Sequence, residues 1–143
     1  MKLSSLILGA FVAIAVIAGV LWVLGVSFHP PVSAQGSALY NPAEEITIKG
    51  VVQEVQEFDC PVSEGELASH LMLKTPDGTL QVHLAPTRIS SGQKLNFAPG
   101  DQLQVVGAKF RFEGKKGVIA RVITRGNETI TLRDQAGNLL LTQ

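Results

Sequence analysis

Two hydrophobic patterns divide this chain. From Leu6 to Phe28 the residues are apolar without a charge, 23 in a row, with only Ser27 and the Trp22 indole offering polar groups. A helix over such a run rises about 1.5 Å per residue, enough for the roughly 30 Å hydrocarbon core of a bilayer. Past residue 44 the pattern changes to short alternating runs separated by turn residues, which predicts strands. Ile46, Ile48, Val51 and Val55 mark a first strand, with a bulge or bend at Gly50. Asp59 to Leu67 reads as a loop. Leu71 and Leu73 alternate with His70, Met72 and Lys74. Thr75-Pro76-Asp77-Gly78 supplies a turn, and Leu80, Val82 and Leu84 then alternate with Gln81 and His83. Pro86 ends that strand, and Thr87 to Gln93 is room for a short helix. Leu103 and Val105 mark a fourth strand after Pro99-Gly100-Asp101. Val118, Ala120 and Val122 mark a fifth after a tip at Glu113 to Gly117. Ile130 and Leu132, with Leu139 and Leu141, suggest a final small hairpin around a turn at Asp134 to Asn138.

Five strands with a helical connection between the third and fourth predict an all-β fold, a small OB-type Greek-key barrel preceded by one N-terminal transmembrane helix. An SH3-like barrel is the nearest competitor. A long first strand bent at Gly50 favours the OB type, because that strand must serve both halves of the barrel. The expected organisation is a membrane anchor or signal peptide over 1–34, a polar linker over 35–43 and the barrel over 44–143.

The apolar run also sets an expected location. Lys2 and the amino terminus precede it, so the positive-inside tendency keeps the N-terminus cytoplasmic. The barrel then lies in the periplasm, as the outer part of a single-pass inner-membrane protein. The alternative is a signal peptide: Val32-Ser33-Ala34 offers small residues for cleavage after Ala34, which would release the domain into the periplasm. Beyond Ala34 there are 109 residues, 11 of them basic and 12 acidic, a formal net charge of −1. This excludes an overall electrostatic footprint for nucleic acid. Six cations and one acid lie between Lys109 and Arg125. Solvated strand edges account for them. A basic hairpin with Lys109, Arg111, Lys115 and Lys116 touching anionic lipid or an acidic envelope protein is the functional alternative.

The sharpest constellation lies on the central hairpin. If the leucines and Val82 face the core, then His70, Met72, Gln81 and His83 share the opposite, outward face. A loop of Thr75 to Gly78 places His70 directly opposite His83, whereas a two-residue loop places Met72 there with His70 diagonal. Cys60, the only cysteine, enters from the preceding loop. Two imidazoles, a thiolate and a thioether suit copper or zinc, and imidazoles also ligate haem. Two half-exposed histidines over a buried, inert Cys60 are the plainer reading, since the spacing is no standard metal signature. Neither histidine has a nucleophile beside it, so the chain reads as non-enzymatic.

Several stretches resemble a family. They are Ile48-Lys49-Gly50-Val51-Val52, Cys60-Pro61, His70 to Thr75, Val82-His83-Leu84-Ala85-Pro86, Gly100-Asp101, and Leu132-Arg133-Asp134 with Gly137. Together they are similar to exported bacterial OB-fold proteins that include magnetosome-associated relatives. The resemblance covers about Glu45 to Gly137 and implies the fold rather than an activity. The tail Asn138-Leu139-Leu140-Leu141 departs from the Pro-Leu-Trp-like ending of such proteins. One membrane helix plus an exported OB domain is also similar in architecture to the cytochrome c maturation haem chaperones. Their His-x-x-x-Tyr motif is missing, because the only tyrosine, Tyr40, precedes the domain. The expectation is a membrane-tethered binding module for a transition metal or haem. A non-catalytic adaptor holding a protein or membrane partner is the alternative.

Overall fold

A computed structural model describes residues 38–92 and 95–141 of the chain. The run Leu6–Phe28, and with it the anchor or signal reading, lies outside them. No helix among the described residues is long and apolar enough to cross a membrane. The elements are β1 (Glu45–Asp59), β2 (Leu67–Thr75), β3 (Gly78–Pro86), α1 (Thr87–Gly92), β4 (Gln102–Phe112), β5 (Lys115–Arg125) and β6 (Glu128–Thr131), with short 3-10 turns at Pro42–Glu44 and Pro61–Ser63.

β1 forms as one long strand, but its register shift falls between Val52 and Glu54 rather than at Gly50, so Val52 is buried while Val51 and Val55 are exposed. It pairs with β4 from Glu45 to Val51 and with β2 from Val51 to Asp59, so one strand belongs to both halves of the sheet. The handover falls beside Gly50. A Cβ at that position would sit 2.5 Å from the Lys74 carbonyl oxygen and 2.7 Å from Leu73 Cγ. Only glycine lets the two strands close here. Gly50→Val should therefore lower stability by roughly 1–3 kcal/mol through overpacking. Urea unfolding checks this, and an unchanged midpoint would mean that the close strand approach does not depend on the missing side chain.

The sheet order is β3-β2-β1-β4-β5-β6, and a parallel pairing of β3 with β5 at Val82↔Val118 and His83↔Ile119 closes it. The ring β1-β2-β3-β5-β4 with α1 between β3 and β4 has the connectivity of the OB barrel rather than the SH3-like alternative. The expected final hairpin is only partly realised. Ile130 returns to β5 opposite Ile123, and Arg133↔Leu139 is an isolated bridge across the Asp134–Asn138 turn.

Two apolar clusters fill the domain. The first holds Leu71, Leu73, Val82, Leu84, Val105 and Leu132, as the alternation predicts, but on β5 it takes Ile123 in place of the expected Val122, because the β4–β5 register shifts at Val106/Gly107. Leu80, expected in it, is only half-buried. The second holds Tyr40, Cys60, Val62, Ala68, Ala108, Phe110 and Ile119. It had no counterpart in the strand pattern, and it changes what the opposite face of the hairpin means.

Part of the expected linker belongs to this second cluster. Tyr40 is buried, and its hydroxyl donates to Glu45 Oε2 at 2.6 Å. Arg121 grips the same carboxylate with two bonds of 2.7 Å. The Arg121 guanidinium, aided by Tyr40, holds Glu45 well below the usual carboxylate range, at about 2. Such a bidentate pair fixes orientation as well as charge. It staples the chain just before β1 onto β5.

Candidate metal centre

The hairpin register is the one that sets the histidines face to face. Thr75 pairs with Gly78, so the tip is the two residues Pro76-Asp77; centred there, a two-residue loop gives His70↔His83 and not the Met72 pairing expected of it. Both imidazoles lie on the side opposite Leu71 and Val82, as parity requires. The expectation that this side is solvent-exposed is wrong. His70 and His83 are both 0% exposed. The 3-10 turn Pro61–Ser63 carries buried Val62 and Ser63 over them, and Phe58 of β1 stacks on His70 with ring centroids 3.9 Å apart and nearly parallel. The second cluster therefore roofs this end of the hairpin. The physical reason is the loop after β1: it folds back across the sheet instead of standing in solvent.

The loop also delivers the thiol. Cys60, Ser63 and Val62 sit in one turn, and Cys60 is 2% exposed. One donor atom each from Cys60, His70 and His83 lies within 4.8 Å of the other two. Met72 is half-buried, on the strand position next to His70 on the same face, and belongs to neither apolar cluster. Of the expected ligands, Cys60, His70 and His83 are brought together.

The hydrogen bonds order this site completely. His70 Nδ1 lies 2.9 Å from the Ala68 carbonyl oxygen, which can only accept, so that nitrogen carries a proton. In the neutral ring its Nε2 is then a bare lone pair. His83 Nδ1 lies 3.1 Å from that lone pair and donates to it. His83 Nε2 is left to accept from the Ser63 hydroxyl at 3.4 Å. Burial favours this neutral state. It pushes His70 down from its ordinary 6.5 to about 4, against the pull of the Ala68 carbonyl. Burial, then the neighbouring Arg133 and His70, push His83 lower still. Burial also raises the Cys60 thiol, while the N–H groups of Val62 and Ser63 and the Lys115 charge favour the thiolate.

One proton separates this arrangement from a ligand set. If the His83 proton moves from Nδ1 to Nε2, it can be donated to Ser63 Oγ. His83 Nδ1 and His70 Nε2 then both present lone pairs. Two nitrogens bound to one ion at about 2.0–2.1 Å stand roughly 3.3 Å apart. The observed 3.1 Å is close to that. Each imidazole would keep a hydrogen bond from its other nitrogen, His70 to Ala68 and His83 to Ser63, as metal-bound histidines do.

Arg133 completes the surroundings, and nothing in the strand pattern pointed to it beyond its place in the Leu132-Arg133-Asp134 stretch. It is 2% exposed and donates from one terminal nitrogen to the carbonyls of Leu84 and Ala120, each at 2.6 Å. These carbonyls follow His83 on β3 and Ile119 on β5, the pair at the barrel seam. Ser63 and Phe58 were also missed, since a loop serine and an edge phenylalanine carry no distinctive signal. The basic residues Lys109, Arg111, Lys115 and Lys116 are all exposed on the β4–β5 hairpin, with Arg111 directly opposite Lys116. They lie apart from the histidines in register, although the Lys115 charge reaches Cys60.

No curated protein matches the chain. Among solved structures, the S. pombe Stn1–Ten1 complex aligns at 16% identity with a TM-score of 0.46, over 59% of this chain and 59% of that one. A likeness at that level carries no argument about function. Neither finding supports the architectural similarity to the haem chaperones. The model of the MamS/MamX magnetosome protein family matches residues 44–130, more than half of the sequence and nearly all of the barrel, and the chain belongs to that family.

Proposed function

We propose that this domain is a non-catalytic binding module that holds one transition-metal ion between Cys60, His70 and His83. The observation that carries the reading is the convergence of the three donors with an oriented partner behind each imidazole. A thiolate and two imidazoles suit copper or zinc. A bare ion fits better than haem: both rings are sealed from solvent, and Phe58 covers one face of His70. We place the module outside the cytoplasm, tethered by the Leu6–Phe28 run or released after Ala34, on the sequence argument alone.

The test is metal titration of the full chain, with thermal unfolding as the readout. One equivalent of copper(I) or zinc(II) should bind and raise the Tm. Cys60→Ser, which nearly preserves shape, should lower the affinity at least about tenfold. Equal affinity in Cys60→Ser would remove the thiolate from the site, and no binding at all would remove the site.

A second reading rests on a separate observation. Among the described residues, none of Lys109, Arg111, Lys115 and Lys116 enters an ion pair. Like charges opposed across strands cost stability, so an anionic partner or membrane surface would relieve them. Salt-sensitive binding to anionic vesicles, lost on reversing Lys115 and Lys116, would support this adaptor role.

A further inference from the structure

The charge around the three donors discriminates between metals. A Cys60 thiolate and two neutral imidazoles carry −1 in total. With a monovalent ion the filled site is neutral; with a divalent ion it is +1. The surroundings are already positive. Arg133 is buried, donates to the Leu84 and Ala120 carbonyls, and enters no ion pair with an acid among the described residues. Its bond to Leu84 places the guanidinium beside the residue that follows His83. Lys115 adds a weaker positive influence at Cys60. In a poorly solvated interior, a second net charge near Arg133 is costly, whereas a neutral centre is not.

Coordination number points the same way. Zinc in proteins is four-coordinate, and a site with three protein donors takes water as the fourth ligand. Here all three donor residues are at most 2% exposed, which leaves a bound water no open side. A soft thiolate suits both metals, but copper(I) does not require the fourth donor that zinc does.

We propose that this is a site for a monovalent soft cation, copper(I), and that buried Arg133 sets the preference by disfavouring divalent ions. The inference deepens the metal-binding reading above and rests on it. Arg133 is a positioning and selectivity residue, not a ligand.

The test measures copper(I) affinity by chelator competition under anaerobic reducing conditions, and zinc(II) affinity by indicator competition, on the full chain at neutral pH. Arg133→Gln removes the charge but keeps N–H donors for the two carbonyls. It should raise zinc affinity about tenfold or more relative to copper(I). Arg133→Lys keeps the charge and should keep the wild-type ratio. Lys115→Glu is an exposed change that does not threaten the fold, and it should shift the ratio toward zinc in the same direction by less. If Arg133→Gln fails to fold, the wild-type ratio decides: zinc(II) bound as tightly as copper(I) or more tightly overturns the selectivity. Ratios that stay constant in the neutralised or reversed variants overturn the selectivity while leaving a metal site standing. Loss of Cys60-dependent binding for both metals in the wild type would instead overturn the site, and the selectivity with it.

Discussion

His83→Ala should lower the folding stability of the full chain by about 2–4 kcal/mol and abolish metal binding together. The reason is burial. Read from the strand alternation, His83 points outward, and its loss ought to leave the fold intact. In the structure the imidazole is fully enclosed and central to a chain of bonds from Ser63 through His83 and His70 to Ala68. Truncation opens a cavity beneath the Pro61–Ser63 turn. It also leaves His70 Nε2 without a donor, and an unpartnered buried acceptor carries its full desolvation cost. His70→Ala should cost a similar amount, since it also forfeits the Phe58 stack. Chemical denaturation of the metal-free variants measures both. A midpoint equal to that of the parent would show that the turn does not seal the histidines in solution.

Acid should destabilise the metal-free protein through the same pair. Both histidines have folded-state values below their ordinary 6.5, His70 at about 4. A depressed histidine means that the unfolded chain takes up protons first as pH falls. The stabilisation is therefore complete above about 6.5 and is lost progressively toward the folded value. For His70 the shift corresponds to about 3 kcal/mol, lost between pH 6.5 and a little below 4. His83 adds to this in the same direction. Unfolding free energies measured across this range should fall for the parent and stay flatter for a His70→Phe/His83→Leu protein, which replaces both partners with apolar groups. Equal pH slopes in the two proteins would show that the imidazoles are hydrated. Metal binding should weaken over the same interval, because the ion needs unprotonated imidazoles and a thiolate.

The strand pattern revealed the barrel because its signals are local. Pro76-Asp77-Gly78 marks the tight turn, Leu71, Leu73, Val82 and Leu84 carry the period of two, and Gly50 marks the close approach where β1 passes from β4 to β2. The same parity correctly placed His70 and His83 on one face, and the register brought them opposite each other. What parity could not reveal was the cover. Whether a sheet face meets water depends on where a distant loop folds. Here Cys60–Ser63 and Tyr40 come back across the hairpin, turning the outward face into a second interior. Arg133 was hidden for a related reason. A lone arginine just after β6 reads as a surface cation, and only the β3–β5 closure supplies the carbonyls that draw it inside.

The atoms that surround the ion identify the centre. X-ray absorption at the copper edge, on the full chain loaded with one equivalent of copper(I), reads them directly. The expected spectrum shows one sulfur and two imidazole nitrogens, with the sulfur scattering lost in Cys60→Ser. A first shell without sulfur, or one that Cys60→Ser leaves unchanged, would contradict the three-residue centre.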